Sequence, residues 1–289
     1  MQLSEIERGL VLLGENLHLL RDLPDASIDL IYIDPPFNTG SPRSLDAIET
    51  RESESGGRTG FKGKKYESKV VSSRSYDDSF DDYLGFLQPR LLEAKRVLAS
   101  HGSLYFHIDY REAHYCKILL DEIFGRDSFL NEIIWAYDYG GRATKRWPTK
   151  HDNIFLYVKD PKNYYFSLDE VERIPYMAPS LVTEEKRERG KTPTDTWWHT
   201  IVSPTGKEKT GYPTQKPVAI LKRMIAASCP PDGIVLDFFA GSGTAGAAAL
   251  ELGRRFLLVD CSKDAYDVMR SRFANAPGIR FEARLQPAE

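Results

Sequence analysis

Residues 234–244 read Ile234-Val235-Leu236-Asp237-Phe238-Phe239-Ala240-Gly241-Ser242-Gly243-Thr244. The apolar run at the start predicts a buried strand, and the glycines after it predict a tight turn into a helix. Gly241 to Gly246 matches the G-x-G-x-x-G pattern, which lets a ligand approach the backbone closely. Asp260, at the end of the next predicted strand, suits hydrogen bonding to ribose hydroxyls. We therefore expect a nucleotide-like cofactor at this strand end.

A second predicted strand, Leu30-Ile31-Tyr32-Ile33, runs into Asp34-Pro35-Pro36-Phe37. The Asp34 carboxylate and the Pro35 carbonyl offer hydrogen-bond acceptors, and Phe37 offers an aromatic face on which a planar substrate can stack. Open α/β sheets bind ligands at the carboxyl ends of neighbouring parallel strands, so the two segments predict a single site. For Asp34 to Phe37 alone, the alternative is an ordinary strand-ending turn with a capping Asp and a core Phe.

Predicted strands and helices alternate along most of the chain. Further strands are predicted at residues 10–13, 103–108, 133–135, 154–158, 256–259 and 279–283, and helices at 17–23, 81–99, 111–124, 217–227, after Gly243 and at 263–273. This alternation predicts an α/β fold with a mostly parallel sheet and helices on both faces.

Two stretches break the alternation. Residues 41–75, rich in Ser, Gly and charged residues, predict a long flexible loop, and residues 160–211, where prolines recur, predict an inserted lobe. We expect residues 1–159 and 212–289 to form the two halves of one domain around that lobe.

The composition limits where a nucleic acid could bind. The 289 residues have a formal net charge of −3, so such a surface must be a local basic patch. Residues 140–151 hold Arg142, Lys145, Arg146 and Lys150 and no acid, which suits a phosphate backbone, with a solvated basic hairpin as the alternative. Residues 41–75, with eight basic and five acidic residues, are a second candidate for closing over a nucleic acid, with a plain disordered insertion as the alternative.

The cysteines Cys116, Cys229 and Cys261 have no CxxC spacing and predict reduced thiols in a cytoplasmic protein. No cluster of His, Cys and Asp has metal-ligand spacing, so we expect no metal. We also expect no association with membranes, because the N-terminus lacks a signal-peptide pattern and no apolar run approaches the roughly 20 residues of a membrane span.

Together these motifs resemble those of an S-adenosylmethionine-dependent DNA amino-methyltransferase of the bacterial restriction–modification type. The resemblance also rests on Gly14-Glu15-Asn16 and on Tyr212-Pro213-Thr214-Gln215-Lys216-Pro217, and it extends over nearly the whole chain. Because the catalytic loop precedes the cofactor loop, the motif order is similar to the permuted β arrangement of that family. The resemblance implies a Rossmann-like methyltransferase sheet with an inserted target-recognition lobe.

The resemblance also implies roles for individual residues. Lys216 and Thr214 would lie near the cofactor carboxylate, and Glu15 stands where the family usually has Asp. The implied catalytic residues are Asp34, Pro35, Pro36 and Phe37. The implied cofactor-binding residues are Glu15, Asp34, Thr214, Lys216, Asp237, Phe239, Ala240, Gly241, Ser242, Gly243, Thr244 and Asp260.

Several functions are compatible with parts of this pattern. The glycine motif alone also fits an NAD enzyme, yet only 45 residues follow Thr244, too few for the two halves of a dinucleotide fold. The motif order disfavours a methyltransferase for RNA or protein amides. The intact Asp34 and Phe37 disfavour a DNA-binding protein without catalysis.

The leading hypothesis is a site-specific methyltransferase that flips its target base out of double-stranded DNA and methylates N6 of adenine. Asp in the first catalytic position is the commoner adenine form in the family. N4 of cytosine is the alternative, because both amino groups need the same chemistry. The family further suggests a homodimer and a cognate restriction endonuclease as partners.

Overall fold

The structure, a computed structural model, describes residues 2–38, 78, 80–139, 143–203 and 206–284 in full and the backbone alone at 43–52, 58–59 and 65–76. The strands are β1 (Gly9–Leu13), β2 (Ile28–Ile33), β3 (Arg43–Glu52), β4 (Arg58–Thr59), β5 (Lys65–Tyr76), β6 (Leu98–Ile108), β7 (Phe129–Ala136), β8 (His151–Val158), β9 (Thr196–Trp198), β10 (Ile234–Asp237), β11 (Arg255–Asp260) and β12 (Ile279–Ala283). The α-helices are α1 (Asn16–Arg21), α2 (Tyr83–Val97), α3 (Ala113–Phe124), α4 (Glu184–Arg189), α5 (Val218–Ser228), α6 (Thr244–Glu251) and α7 (Lys263–Arg272).

Nine strands form the central sheet in the order β12-β1-β11-β10-β2-β6-β8-β7-β9. The first six pair in parallel, whereas β8 runs antiparallel to both β6 and β7. Strands β2 and β10 are neighbours, with Ile31 opposite Leu236. The predicted mostly parallel α/β sheet is confirmed, and the two loops singled out in the sequence emerge side by side at one edge.

Each face of the sheet has its own core. On one face Ile33 and Leu236 pack with residues of α1, α2 and α3, and on the other Tyr32 and Val235 pack with residues of α5, α6 and α7. Because alternate residues of a strand point to opposite faces, a strand covered on both sides is apolar throughout. This explains why β2 and β10 read as continuous apolar runs rather than alternating ones.

The prediction of a loop at residues 41–75 was wrong for much of that stretch. Strands β3 and β5 pair antiparallel, and β4 adds to β5, giving a separate three-stranded sheet. Ile48, Thr50 and Val70 favour an extended backbone, but the many charged and Ser residues around them hide any regular alternation. Residues 41, 42, 53–57 and 60–64 lie outside the described residues.

Two smaller differences concern the predicted helix at 81–99 and the predicted lobe at 160–211. Leu98 and Ala99 belong to β6, because the helix ends at Val97. Within the lobe, β9 pairs in parallel with β7, so that Trp197 is buried and Trp198 is exposed. Part of the predicted lobe is thus the edge strand of the main sheet.

In the parts of the chain that the structure describes, no helix has the length and apolar character needed to cross a membrane.

Candidate functional site

The ends of β2 and β10 border a cavity of about 350 Å³. Asp34 follows the last residue of β2, and Asp237 is the last residue of β10. Gly243 does not line the cavity and is instead the N-cap residue of α6. Every other residue implied for catalysis or cofactor binding lines it: Glu15, Asp34, Pro35, Pro36, Phe37, Thr214, Lys216, Asp237, Phe239, Ala240, Gly241, Ser242, Thr244 and Asp260.

The turn between β10 and α6 requires its two glycines. Gly241 has a φ of +49° and Gly243 a φ of +74°, in the left-handed region that other residues avoid. A Cβ atom at Gly243 would lie 2.8 Å from Cγ of Met269, and one at Gly241 would lie 3.0 Å from Cε1 of Tyr212. The turn therefore keeps the backbone close to the cavity.

The side chains of Asp34, Asp237 and Asp260 give this first cavity an acidic wall. Burial raises the pKa of Asp237 well above its ordinary value, and the nearby Asp34 and Asp260 raise it further. Burial also raises the pKa of Asp260, although its carboxylate accepts hydrogen bonds from the backbone N–H groups of Gly241 and Ser262, each at 2.8 Å. Such a wall favours a ligand that carries positive charge.

Glu15 is held by an arginine that the sequence analysis missed. The Arg90 guanidinium donates to Oε1 of Glu15 at 2.5 Å and to Oδ1 of Asn16 at 2.7 Å. The Asn16 amide in turn donates to the Phe238 carbonyl at 2.8 Å. These bonds join the loop after β1 to the loop after β10. No motif marks Arg90, which lies on the distant helix α2.

The loop after β2 presents an unused acceptor. Lys216 is buried and forms an ion pair with Oδ2 of Asp34, a contact that the resemblance did not imply. Oδ1 of Asp34 is buried and has no hydrogen-bond partner among the described residues. The Tyr83 hydroxyl donates to the Pro36 carbonyl at 2.6 Å and fixes the loop. A buried carboxylate oxygen without a partner is costly unless a ligand supplies a donor.

A second cavity, of about 640 Å³, adjoins the first. Phe37, Tyr212, Thr214, Gln215 and Lys216 line both cavities. Thr214 has a φ of +57°, a strained conformation of the kind that concentrates at functional sites. The rest of the wall of this second cavity includes the aromatic residues Tyr110, Trp135, Tyr137 and Tyr139 beside charged and polar ones. Its size and aromatic lining suit a planar ring.

The predicted basic turn lies over this second cavity. Arg146 lines it and donates to the Tyr110 hydroxyl at 3.2 Å, and Lys145 is exposed. The Lys150 ammonium donates to the Tyr139 carbonyl. Arg142 lies outside the described residues. The structure thus brings Arg146 to the mouth of the cavity but leaves its role in DNA binding a prediction.

Most of the chain matches a known protein family. The sequence profile of a family described as DNA methylase, covering N6 and N4 methyltransferases, matches residues 28–271. The chain belongs to this DNA methylase family. It is accordingly an amino-methyltransferase of DNA, of the kind found in restriction–modification systems.

Two relatives within the DNA methylase family are similar over most of their length. The type II methyltransferase M.HpaI of Haemophilus parainfluenzae is 31% identical over 253 residues, which cover 88% of this chain and 70% of that protein. The DNA adenine methyltransferase YhdJ of Escherichia coli is 30% identical over 266 residues, covering 89% of this chain and 80% of the relative.

Solved structures of other DNA methylases share the fold. The PvuII DNA methyltransferase, which is cytosine-N4-specific, superposes with a TM-score of 0.60 at 15% identity, covering 96% of this chain and 95% of that one. The putative DNA modification methylase TTHA0409 of Thermus thermophilus, in complex with S-adenosyl-L-methionine, gives a TM-score of 0.59 at 18% identity, covering 97% and 100%.

Proposed function

We propose that this DNA methylase transfers a methyl group from S-adenosylmethionine to N6 of an adenine that is flipped out of double-stranded DNA at a specific sequence. The observation that carries this proposal is the partnerless Oδ1 of Asp34, a residue of the first cavity whose other carboxylate oxygen pairs with Lys216, which lines both cavities. It offers an acceptor where the amino group of a base in the second cavity would approach a cofactor in the first.

The first cavity fits the cofactor in size and charge. A volume of about 350 Å³ lies in the range of small-molecule sites, and the glycine turn lets the ligand reach the backbone. S-adenosylmethionine carries a positive sulfonium and a positive ammonium group, which the acidic Asp237 and Asp260 would stabilise. Glu15, fixed by Arg90, would complete the acidic wall.

The chain's own groups would activate the amino nitrogen. Its lone pair is delocalised into the ring, and hydrogen bonds to Oδ1 of Asp34 and the Pro35 carbonyl would favour a tetrahedral nitrogen with a localised lone pair. Phe37 would hold the ring by stacking, worth about 1–3 kcal/mol. Bound S-adenosylmethionine supplies the methyl group, whose bond to sulfur breaks as the nitrogen attacks, with the electron pair remaining on sulfur. The methylated nitrogen then loses its extra proton to water.

Three observations support adenine as the target. Asp34 occupies the first catalytic position, where adenine enzymes of the resembled family more often carry Asp. The Escherichia coli relative is named a DNA adenine methyltransferase. The second cavity, of about 640 Å³, has room for a purine.

The test of the target base is methylation of plasmid DNA by the purified protein with labelled S-adenosylmethionine, followed by mass spectrometry of the nucleosides. We expect N6-methyladenine. Detection of N4-methylcytosine would be consistent with the proposed mechanism but would show that the target base is cytosine. Absence of any methylated nucleoside, with cofactor binding demonstrated by equilibrium dialysis, would contradict the proposed DNA substrate.

Residues 160–211 are proposed to contribute target recognition. Ile201, Val202 and Lys209 line the second cavity, so this segment lies beside the position proposed for the flipped base. A homodimer and a cognate restriction endonuclease remain expectations from the family.

The basic turn should bind the DNA backbone. Replacing Lys145 and Arg146 together by Gln should weaken DNA binding and reduce the slope of log affinity against log salt by about one per lost phosphate contact. Fluorescence anisotropy with a labelled duplex at several salt concentrations measures both quantities.

A matched double variant supplies the control for that measurement. Lys263→Gln with Arg270→Gln removes the same charge from α7, which packs near β1 and β11, away from the second cavity. It should leave the salt slope unchanged. Equal slopes for both double variants would show that the turn is only a solvated surface.

A further inference from the structure

A chain of buried polar side chains joins the two cavities. The Tyr32 hydroxyl lies 2.9 Å from Nδ1 of His107, and Nε2 of the same ring lies 3.2 Å from Oδ2 of Asp152. The exposed fractions of these three residues are 3%, 0% and 7%. Tyr32 lines the first cavity and Asp152 lines the second. Neither the methyl-transfer chemistry described above nor any sequence motif accounts for this chain.

The positions of the hydrogens in this chain of side chains follow from the groups at its two ends. The Asp152 carboxylate also accepts the Tyr137 hydroxyl at 3.0 Å, so it acts as an acceptor on both sides. When the His107 ring carries a single hydrogen, that hydrogen lies on Nε2, and Nδ1 is an acceptor. The Tyr32 hydroxyl donates its only hydrogen to Nδ1. Its oxygen therefore has only lone pairs to offer to other partners.

The pKa values of the two ends, Asp152 and Tyr32, are shifted in opposite directions. Burial raises the pKa of Asp152, but the hydrogen bond from His107 and nearby positive charge outweigh it and leave the pKa below its ordinary value. Burial raises the pKa of Tyr32 well above its ordinary value, and the charges of Asp34 and Asp237 raise it further. Tyr32 thus remains a hydroxyl that donates to His107.

The Tyr32 hydroxyl lies near the junction of the cavities. Its hydrogen-bond partner His107 packs with a ring centroid 6.0 Å from Phe37, which lines both cavities, and 5.6 Å from Trp135, which lines the second. Asp34 and Asp237 are the charges that act most on the hydroxyl. A methyl group passing between the cavities must cross this junction.

We infer that Tyr32 contacts the cofactor, presenting its hydroxyl oxygen to the sulfonium end of S-adenosylmethionine, and that His107 and Asp152 are positioning residues that fix this orientation. A sulfonium polarises the C–H bonds of its methyl group, which makes them donors to an oxygen that can only accept. The inference rests on the proposed function. It assigns to Tyr32 a preference for S-adenosylmethionine over the product S-adenosylhomocysteine, whose sulfur carries no charge.

The test compares two ligands in the absence of DNA. Isothermal calorimetry of Tyr32→Phe should show roughly two- to fivefold weaker binding of S-adenosylmethionine, the loss expected for a weak C–H···O contact, with unchanged binding of S-adenosylhomocysteine. Tyr105→Phe is the matched control, because Tyr105 lies directly opposite Tyr32 in β6 and its hydroxyl bonds to Ser228 instead. It should leave the ratio of the two affinities unchanged.

Asp152→Asn tests the positioning role. The Tyr137 hydroxyl should hold the amide oxygen, which turns the amide N–H₂ toward Nε2 and reverses the hydrogens along the chain. We expect the same selective loss for S-adenosylmethionine, with melting temperature confirming the fold. An equal loss for both ligands in Tyr32→Phe, or an unchanged ratio in both variants, would overturn the inference. Failure of the wild-type protein to bind either ligand would overturn the proposed function and the inference with it.

Discussion

Asp34→Asn should slow methyl transfer about a thousandfold while the protein remains folded and still binds its cofactor. The substitution keeps the shape of the side chain. Its amide oxygen would turn toward the buried Lys216 ammonium, which pairs with Oδ2 in the wild type. The amide N–H₂ would then occupy the position of Oδ1. It would present a hydrogen-bond donor to the amino group of the target base, which is itself a donor and needs an acceptor there. Repulsion would replace the hydrogen bond.

The expected loss is about a thousandfold in the single-turnover rate, the upper range for removing one preorganised group that stabilises a transition state. Labelled methyl incorporation into a duplex measures the rate, and equilibrium dialysis measures cofactor affinity, which should fall far less. Asp82→Asn is a suitable control, since Asp82 caps α2 outside both cavities. A rate for Asp34→Asn within a few fold of the wild type would remove Asp34 from the mechanism.

The strands that carry the site could be predicted because local signals agree there with the global fold. Both β2 and β10 are covered on two faces and hence read as apolar runs, and the glycines and prolines after them mark where they end. Strand ends in a parallel sheet share one edge, so the fold class places Asp34 and Asp237 at the same edge, and the pairing of β2 with β10 brings them close together.

Other features depend on register between distant segments, which no local pattern encodes. His107 meets Asp152 only because β6 pairs with β8, with His107 opposite Ile154. Arg90 reaches Glu15 only because α2 packs beside α1. A charged residue on a helix face reads as solvated surface until its partner is known. Arg90 and Asp152 were therefore missed although the elements that carry them, α2 and β8, were found.

Asp237→Asn should have opposite effects on stability and on cofactor binding. Burial raises the pKa of Asp237, with Asp34 and Asp260 adding to the shift. A carboxyl group whose pKa is raised on folding stabilises the protein at low pH, and this stabilisation is lost as pH rises toward the folded-state pKa. The neutral amide avoids that loss, so the melting temperature of the variant should exceed that of the wild type increasingly as the solution is taken from acidic to neutral pH.

The expected gain without ligand is a few degrees, because about 1 kcal/mol shifts the melting temperature by roughly 2–4 °C in a domain of 150–250 residues. Asp232→Asn, in the exposed turn before β10, makes the same chemical change and should give no such trend. Asp237 accepts a hydrogen bond from the backbone N–H of Phe239 at 3.0 Å. A variant that is less stable than the wild type at neutral pH would show that this bond stabilises the fold by more than the buried charge destabilises it.

Cofactor affinity should move the other way. A cationic ligand would draw Asp237 into its ionised form and release a proton, so wild-type affinity for S-adenosylmethionine should rise with pH. The amide has no charge to offer, and we expect roughly 10- to 100-fold weaker binding, the range for losing a hydrogen bond to a charged group, with little dependence on pH. Calorimetry at several pH values in two buffers of different ionisation enthalpy measures both affinity and proton release. If the wild type released no proton, Asp237 would already be ionised in the empty cavity, and the burial that raises its pKa would be offset by the neighbouring Lys216.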